Sequence, residues 1–494
     1  MKRPIAGFAF AAAAGYAVAA AIVAWSNSHF LRDDIAGFFI ALHEPLHLAA
    51  MMPIDVHFVP LHRFVNHLVY ALAPMRFGVA VSLLLAVHAV TVLLLYALLQ
   101  RLKDSPVNGV LLFFYGTNVH LGVLFMWWTS GLHRLPYIAL AVGTIYYYVI
   151  HRSERRGRHL ACAGLCFVAA LGFYSKAALI PLTLLGLEIA LLRDTSKADF
   201  LRNLRVIAFF GVVAALQVWL ARNVVDSRFS QLHLDPGFLL AFEARSFAIL
   251  SEQVFGFEYW PILLPVNAVF FGGWLAFIAF TIYRRRWNAV VWSVGLGVVA
   301  VQFAVIGVSH RTATHGLSTA ASDRYYFELM HIVVLFVGLV LQDLPSPGSR
   351  VEAAGRRRRR FGIAVGCSAL VLMATLSFAR FTWLVESPRY QRHRDARVFD
   401  LNLMRGLAKL REHPDGKAAL VDGLVPVYLT GKTAAHVRRH SDFVPIFDPG
   451  VRFDPAARRL YRVTDTGTLV VARRLGPSEV NAPSDLTIPA KPRK

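Results

Sequence analysis

The sequence predicts an all-α polytopic membrane protein with a small C-terminal α/β or β-containing domain. Three observations carry this. Apolar residues make up 56% of the 494 positions, charged residues only 17%, and mean hydropathy is +0.50. The apolar residues gather in runs of membrane-spanning length, at about 20 residues per span. After residue 380 these runs stop, and Gly and Pro turn signals separate short β-like stretches. The net charge of +22 therefore does not mark a nucleic-acid binder, which would carry its lysines and arginines on a polar surface. Cys162, Cys166 and Cys367 all fall inside apolar runs, so neither a disulfide framework nor a zinc ribbon is read from them.

About eleven segments meet the spanning criterion: 5–25, 78–100, 107–126, 135–150, 160–175, 177–192, 204–221, 262–283, 288–309, 325–343 and 361–380. The first, behind Lys2 and Arg3, is longer than a usual signal-peptide core and reads as a retained anchor. Orientation follows from lysine and arginine, which resist translocation. With a cytoplasmic N-terminus, the inner segments collect Lys2, Arg3, Arg101, Lys103, the cluster from Arg152 to Arg158, Arg193 to Arg205, Arg284 to Arg286 and Arg350 to Arg360, which ends in the arginine run 356–360. That run is a topology determinant rather than a nucleic-acid patch. An odd number of spans puts the residues after 380 outside. The expected organisation is a transmembrane domain over 1–380, an outer soluble domain over 381–476 and a disordered tail over 477–494.

Two further outer segments, 26–77 and 222–261, are too long to be simple turns. The first mixes His29, His43, His47, His57, His62 and His67 with acidic and apolar residues, a pattern that suits helices lying at the membrane interface. Asp33-Asp34 opens it directly after the first span. Adjacent carboxylates beside hydrocarbon are costly, and an ionised one can take a proton from an acceptor hydroxyl; the alternative is a loop start that merely favours water. His43-Glu44-Pro45-Leu46-His47 formally matches the zinc-peptidase pattern, but Pro45 interrupts the continuous helix which that chemistry needs.

The remaining charges grouped near the outer ends of spans are Arg134 beside His133, Lys176, Glu188, Arg222, Arg311, Asp323, Arg324 and Glu328. Lys176, within Phe173-Tyr174-Ser175-Lys176-Ala177-Ala178-Leu179, must find an anion, a cavity or the interface. A phosphate suits Lys176 and Arg324. An internal ion pair with Asp323 or Glu328 is the competing reading.

In order and position these elements resemble the GT-C glycosyltransferases, in particular bacterial membrane proteins related to protein O-mannosyltransferases. Asp33-Asp34 matches the family's acidic pair after the first span. His57-Phe58-Val59-Pro60-Leu61-His62-Arg63 resembles its "W-x-P-L" segment, and the stretch from His88 to Tyr96 its histidine before a Leu-rich run. His120 with Trp127-Trp128-Thr129-Ser130-Gly131 resembles "H…W-x-S-G", the stretch from Phe173 to Pro181 resembles "S-K-E-x…P", and Asp323-Arg324-Tyr325-Tyr326 resembles "R-Y-x-Y". The likeness covers roughly residues 1–345. One departure is Ala177, where the family often carries an acid.

The resemblance implies an enzyme: an inverting hexosyl- or pentosyltransferase of the bacterial cytoplasmic (inner) membrane. It would move a sugar from a polyprenyl-phosphate donor to an extracytoplasmic glycan, glycolipid or protein. Asp33 or Asp34 is then the base. Lys176, Arg324, Arg63, His62, His57, Tyr325, His133 and Arg134 then bind the donor phosphate and substrate. The acidic pair is compatible with a divalent metal without requiring one; no metal ligands and no nucleic-acid partner are expected. A transporter or flippase of lipid-linked substrates is the main alternative, although the two halves of the chain lack the repeat such folds commonly carry. A non-catalytic membrane relative is the other.

Overall fold

The computed structural model describes residues 2–54, 57–105, 107–224, 234–253, 264–322, 324–342, 355–412, 418–431, 436–454, 457 and 459–472. The expected tail at 477–494, Asp323 and parts of the 222–261 segment lie outside them. Helix dominates because, away from water, backbone N–H and C=O groups must be satisfied within the segment. Six helices among the described residues are long and apolar enough to cross a membrane: Gly7–Asn27, Phe77–Leu102, Val107–Met126, Lys197–Val224, Asn288–Gly307 and Arg324–Leu341. A seventh span results if Leu370–Glu386 and Pro388–Arg411, bent by 60° at their junction, are taken together.

The protein is thus a membrane-spanning helical protein, and among the described residues six or seven of the eleven expected spans qualify by length and composition. The 135–150 segment lies in the helix Trp128–Glu154, which carries Arg134 near one end and His151 and Arg152 at the other. The 160–175 segment is the 17-residue helix Gly157–Phe173. The 177–192 segment contains only the 11-residue helix Ile180–Ala190. Val107–Met126 is interrupted at Thr117-Asn118, where the Asn118 side chain accepts from the His120 amide and caps the second half.

The chain divides into two compact units, Met1–Phe30 with Ile40–His393, and Leu31–Phe39 with Arg394–Lys494. In the first, Trp128–Glu154 packs against Phe77–Leu102 and Gly157–Phe173, while Lys2–Asn27 packs along both halves of the interrupted helix. The Glu188 carboxylate is fully buried. It accepts from Tyr148 Oη at 2.9 Å and Asn203 Nδ2 at 3.1 Å, and forms an ion pair with the Arg152 guanidinium at 3.0 Å. This corrects the grouping of Glu188 with the outer-end charges: its partner Arg152 belongs to the basic cluster assigned to an inner loop.

The second unit contains a three-stranded sheet of β1 (Ala418–Leu420), β2 (Arg459–Val463) and β3 (Leu469–Val471), with β1 and β2 parallel and β2 and β3 antiparallel. The chain around 418–429, which reads as β-like in sequence, is strand only over Ala418–Leu420; after Pro426 it forms the short helix Val427–Thr430. The same unit holds the helix His440–Phe447, with His440, Phe443, Val444 and Ile446 buried. Asp422 braces its start, accepting from Arg439 Nε at 2.5 Å and the Ser441 amide at 3.0 Å.

Burial pushes the His440 imidazole down to about 4, against the attraction of Asp422 and Asp465. A group held neutral in the fold binds a proton more readily when unfolded, so stability is complete above the unfolded value near 6.5 and falls as pH drops towards 4. The loss is on the order of 3 kcal/mol. Amide protection factors of the sheet residues in the full-length protein, which are corrected for the intrinsic slowing of exchange in acid, should therefore fall between pH 6.5 and 4, and His440→Leu should flatten that dependence. An unchanged pH profile in the variant would remove His440 as its cause.

Candidate functional site

The candidate site lies in the first unit, where one helix is broken and a second supplies an acid. The helix Gly157–Phe173 ends in an extended Tyr174, a 3-10 turn follows at Ser175–Leu179, and helix resumes at Ile180 with Pro181 in its first turn. Proline suits a first turn because its missing N–H has no intrahelical partner there anyway. This turn buries Lys176, whose Nζ donates to Glu328 Oε2 at 2.8 Å. Arg134, from the first turns of Trp128–Glu154, donates through Nε to Glu328 Oε1 at 2.6 Å. The side chains of Arg134, Lys176 and Glu328 are 5%, 8% and 2% exposed, so the two cations and one carboxylate form a nearly dry triad.

The surrounding donors and rings complete it. Arg134 Nη1 donates to Ser130 Oγ at 2.9 Å, and Tyr174 Oη donates to Glu328 Oε1 at 3.3 Å. The Tyr325 ring faces three cations, with Lys176 Nζ 5.0 Å, Arg324 5.4 Å and Arg134 5.8 Å from its centroid. Arg324 also lies 5.1 Å from the Trp127 ring. Such cation–π contacts hold positive charge without neutralising it.

Three imidazoles border the triad. His62 and His133 stack with centroids 4.0 Å apart, His57 is 5.8 Å from His133, and His57 Nδ1 bonds to Ser175 Oγ. Burial, with Arg63 adjacent, holds His62 well below the usual imidazole range and hence neutral. His133 Nε2 is buried without a hydrogen-bond partner. The helix Pro60–Leu72 that carries His62 is fixed by Asn66 Oδ1, which accepts from Trp128 Nε1 at 2.7 Å. Next to this group lies an apolar groove of about 440 Å³, lined by Pro60, Leu61, Leu165, Gly172, Leu216 and Gln217 among others. Gly172 is needed there, because a Cβ would stand 2.6 Å from Leu61 Cγ.

The structure thus brings together His57, His62, His133, Arg134, Lys176, Arg324 and Tyr325. Arg63 stands beside His62 and acts electrostatically on His62 and His133, while its Nε and Nη2 donate to the carbonyls of Met52 and Pro53, at 3.2 and 2.7 Å. Glu328, which sequence reasoning offered only as an alternative partner for Lys176, is the centre of the cluster. Tyr174 was not singled out. The signal for Glu328 was present: an acid inside an apolar helix is as costly as a lysine there and calls for a partner.

The acidic pair belongs to the second unit. Asp34 is fully buried, and its Oδ2 accepts from the Leu31 amide at 3.1 Å, the return bond that closes a helix start. Arg32 between them has φ 53° and donates its amide to Leu429 O. Asp33, on the same first turn, is only partly buried. His43 ends the helix Asp33–His43 and Pro45 precedes the helix Leu46–Met51, so His43 and His47 stand on different helices and do not form a zinc-binding face. No group suited to hold a metal ion occurs among the described residues. Compared with protein-family models and with curated proteins, the sequence matches none.

Removing one partner of a buried ion cluster leaves uncompensated charge and costs about 3–5 kcal/mol, whereas a single neutral hydrogen bond contributes about 1 kcal/mol. Glu328→Ala should therefore lower unfolding stability in detergent several-fold more than Tyr174→Phe. Equal losses in the two variants would show that the carboxylate is not what holds the cluster.

Proposed function

We propose that the protein is a membrane glycosyltransferase of GT-C type, which transfers a sugar from a polyprenyl-phosphate donor to an extracytoplasmic acceptor with inversion. The observation that carries this reading is the buried triad. Arg134 and Lys176 share one carboxylate, so positive charge remains in a nearly dry setting, next to a groove of apolar side chains. Residual charge at low dielectric is stabilised by an anion, and a phosphate is well matched to an arginine and a lysine. A lipid carrying phosphate at its head satisfies both surfaces, with its tail along Leu61, Leu165 and Leu216 and its phosphate near Lys176. His133 Nε2 and the imidazole of His57 offer further polar contacts to the head group.

The same arrangement suits the chemistry. As the bond between the sugar C1 and the phosphate oxygen breaks, its electron pair passes to the phosphate, and fixed cations lower the barrier by meeting that charge. The acceptor oxygen bonds to C1 from the opposite side, and its proton goes to a carboxylate. In this reading Asp33 is the base, because Asp34 is buried and committed to its helix start. The departure at Ala177 from the family pattern does not argue against the reading, since Glu328 supplies the carboxylate beside Lys176 from another helix. On this reading the enzyme sits in the bacterial cytoplasmic membrane with its N-terminus inside and its C-terminal domain outside.

Loss of a general base typically costs 10²- to 10⁴-fold in rate. Lipid-linked and envelope glycans should be compared between a deletion strain and strains carrying Asp33→Asn or Asp34→Asn at equal membrane expression. The expected result is loss of one glycan in the deletion and Asp33→Asn strains and its retention with Asp34→Asn, where the amide oxygen still accepts from Leu31. Wild-type glycans in the deletion strain would overturn the transferase reading, and full activity with Asp33→Asn would remove Asp33 as the base.

A further inference from the structure

We propose that Glu328 is a specificity-determining residue that tunes the site to a singly charged lipid phosphodiester and against the more highly charged lipid phosphomonoester. The inference rests on the donor reading above and deepens it. Its ground is the charge of the innermost cluster. Arg134 and Lys176 contribute two positive charges and Glu328 removes one, with Glu328 in direct contact with both cations at 2.6 and 2.8 Å. The other titratable groups facing these three are the phenols of Tyr137, Tyr174 and Tyr325 and the imidazoles of His133 and His331, all neutral at pH 7.5, while the Arg324 guanidinium shares the Tyr325 ring and lies outside the triad. The triad therefore presents a net charge of +1.

A lipid phosphate esterified to a sugar is a phosphodiester with one negative charge, which this site neutralises. After transfer, C1 is bonded to the acceptor oxygen, the acceptor proton is on the base, and the lipid leaves as a phosphomonoester. That product carries about −1.5 to −2 near pH 7. The cost of taking that charge out of water grows with its square while the attraction of the triad grows only in proportion, so in this nearly dry setting the product is held less tightly than the donor. The site thereby releases the spent carrier and does not stall on it. Without the Glu328 charge the triad would be +2 and would fit the product better than the donor.

Glu328 is also a geometric anchor, so the test must read charge and not only integrity. The full-length protein in detergent is titrated with a prenyl phosphomonoester and with the corresponding prenyl glycosyl phosphodiester at pH 7.5. The readout is the ratio of their dissociation constants, with thermal unfolding as the control for folding. One unit charge about 5 Å away at an effective dielectric constant of about 20 changes binding on the order of 10²-fold. The wild-type protein should prefer the diester. Glu328→Gln, which keeps the shape and makes the triad +2, should shift the ratio towards the monoester by at least about tenfold. Lys176→Gln, which makes it neutral, should shift the ratio the opposite way, and this second variant decides the matter if Glu328→Gln does not fold. A ratio that stays constant across folded variants overturns the proposal while leaving the donor reading intact. Failure of both lipids to bind the wild-type protein overturns the donor reading itself.

Discussion

The carboxylate of Glu328, held between Arg134 and Lys176, is the contact on which the first unit's polar interior depends. Charge inside an apolar bundle is expensive, and a buried pair is not stabilising merely because it is a pair. The arrangement persists because both carboxylate oxygens are occupied, the guanidinium is further held by Ser130, and the tyrosines at 174 and 325 accommodate both cations. It also ties three parts of the chain together: the helix Trp128–Glu154, the turn Ser175–Leu179 and the helix starting at Arg324. The neighbouring imidazoles and the Asn66–Trp128 bond pack around elements whose spacing this contact fixes.

Much of the polar chemistry sits where helices break. In a membrane protein, irregular backbone is tolerated where it is buried in protein or lines a cavity, since lipid offers no hydrogen bonds. The interruption at Thr117-Asn118 is repaired by the Asn118 side chain, and the next begins at Trp127. The largest, at 174–179, carries Tyr174, Ser175 and Lys176 towards His57, Tyr325 and Glu328. Continuous helix would have placed successive residues about 100° apart and could not have turned Tyr174 and Lys176 to the same partner. The break is thus what assembles the site, and Pro181 is compatible with it because the helix restarts there.

Sequence reasoning found the individual cations and histidines because charge in an apolar run is conspicuous one residue at a time. It could not say which acid Lys176 meets, since Glu328 lies 152 positions away and pairing is a property of the packed bundle. Glu188 was placed at the wrong end for the same reason: its hydropathy context is like that of Glu328, and only Arg152 and Asn203 distinguish it. Pro45, by contrast, was decisive from sequence alone, because its effect on a helix is local. Among the described residues not every apolar run forms a helix of spanning length, as in Ile180–Ala190, since a run of apolar residues looks alike whether protein or lipid surrounds it. The burial of Asp34 was not readable either. It follows from the left-handed Arg32, a conformation unusual for arginine, which the amide bond to Leu429 holds in place.

The absence of an acid at position 177 illustrates how a motif and its physical content come apart. Ala177 is fully buried in a 3-10 turn, so a carboxylate there would need its own donors in an apolar setting. Glu328 approaches instead from a facing helix, where the same carboxylate meets the ammonium of Lys176 and the guanidinium of Arg134 together. An acid adjacent in sequence would neutralise the lysine locally; one from the facing helix also couples the turn to the rest of the bundle. The carboxylate that Lys176 meets therefore comes from a facing helix and not from its neighbour in sequence. The same carboxylate sets the charge that any bound anion meets, so in this chain the position to vary when asking what the site binds is 328, not 177.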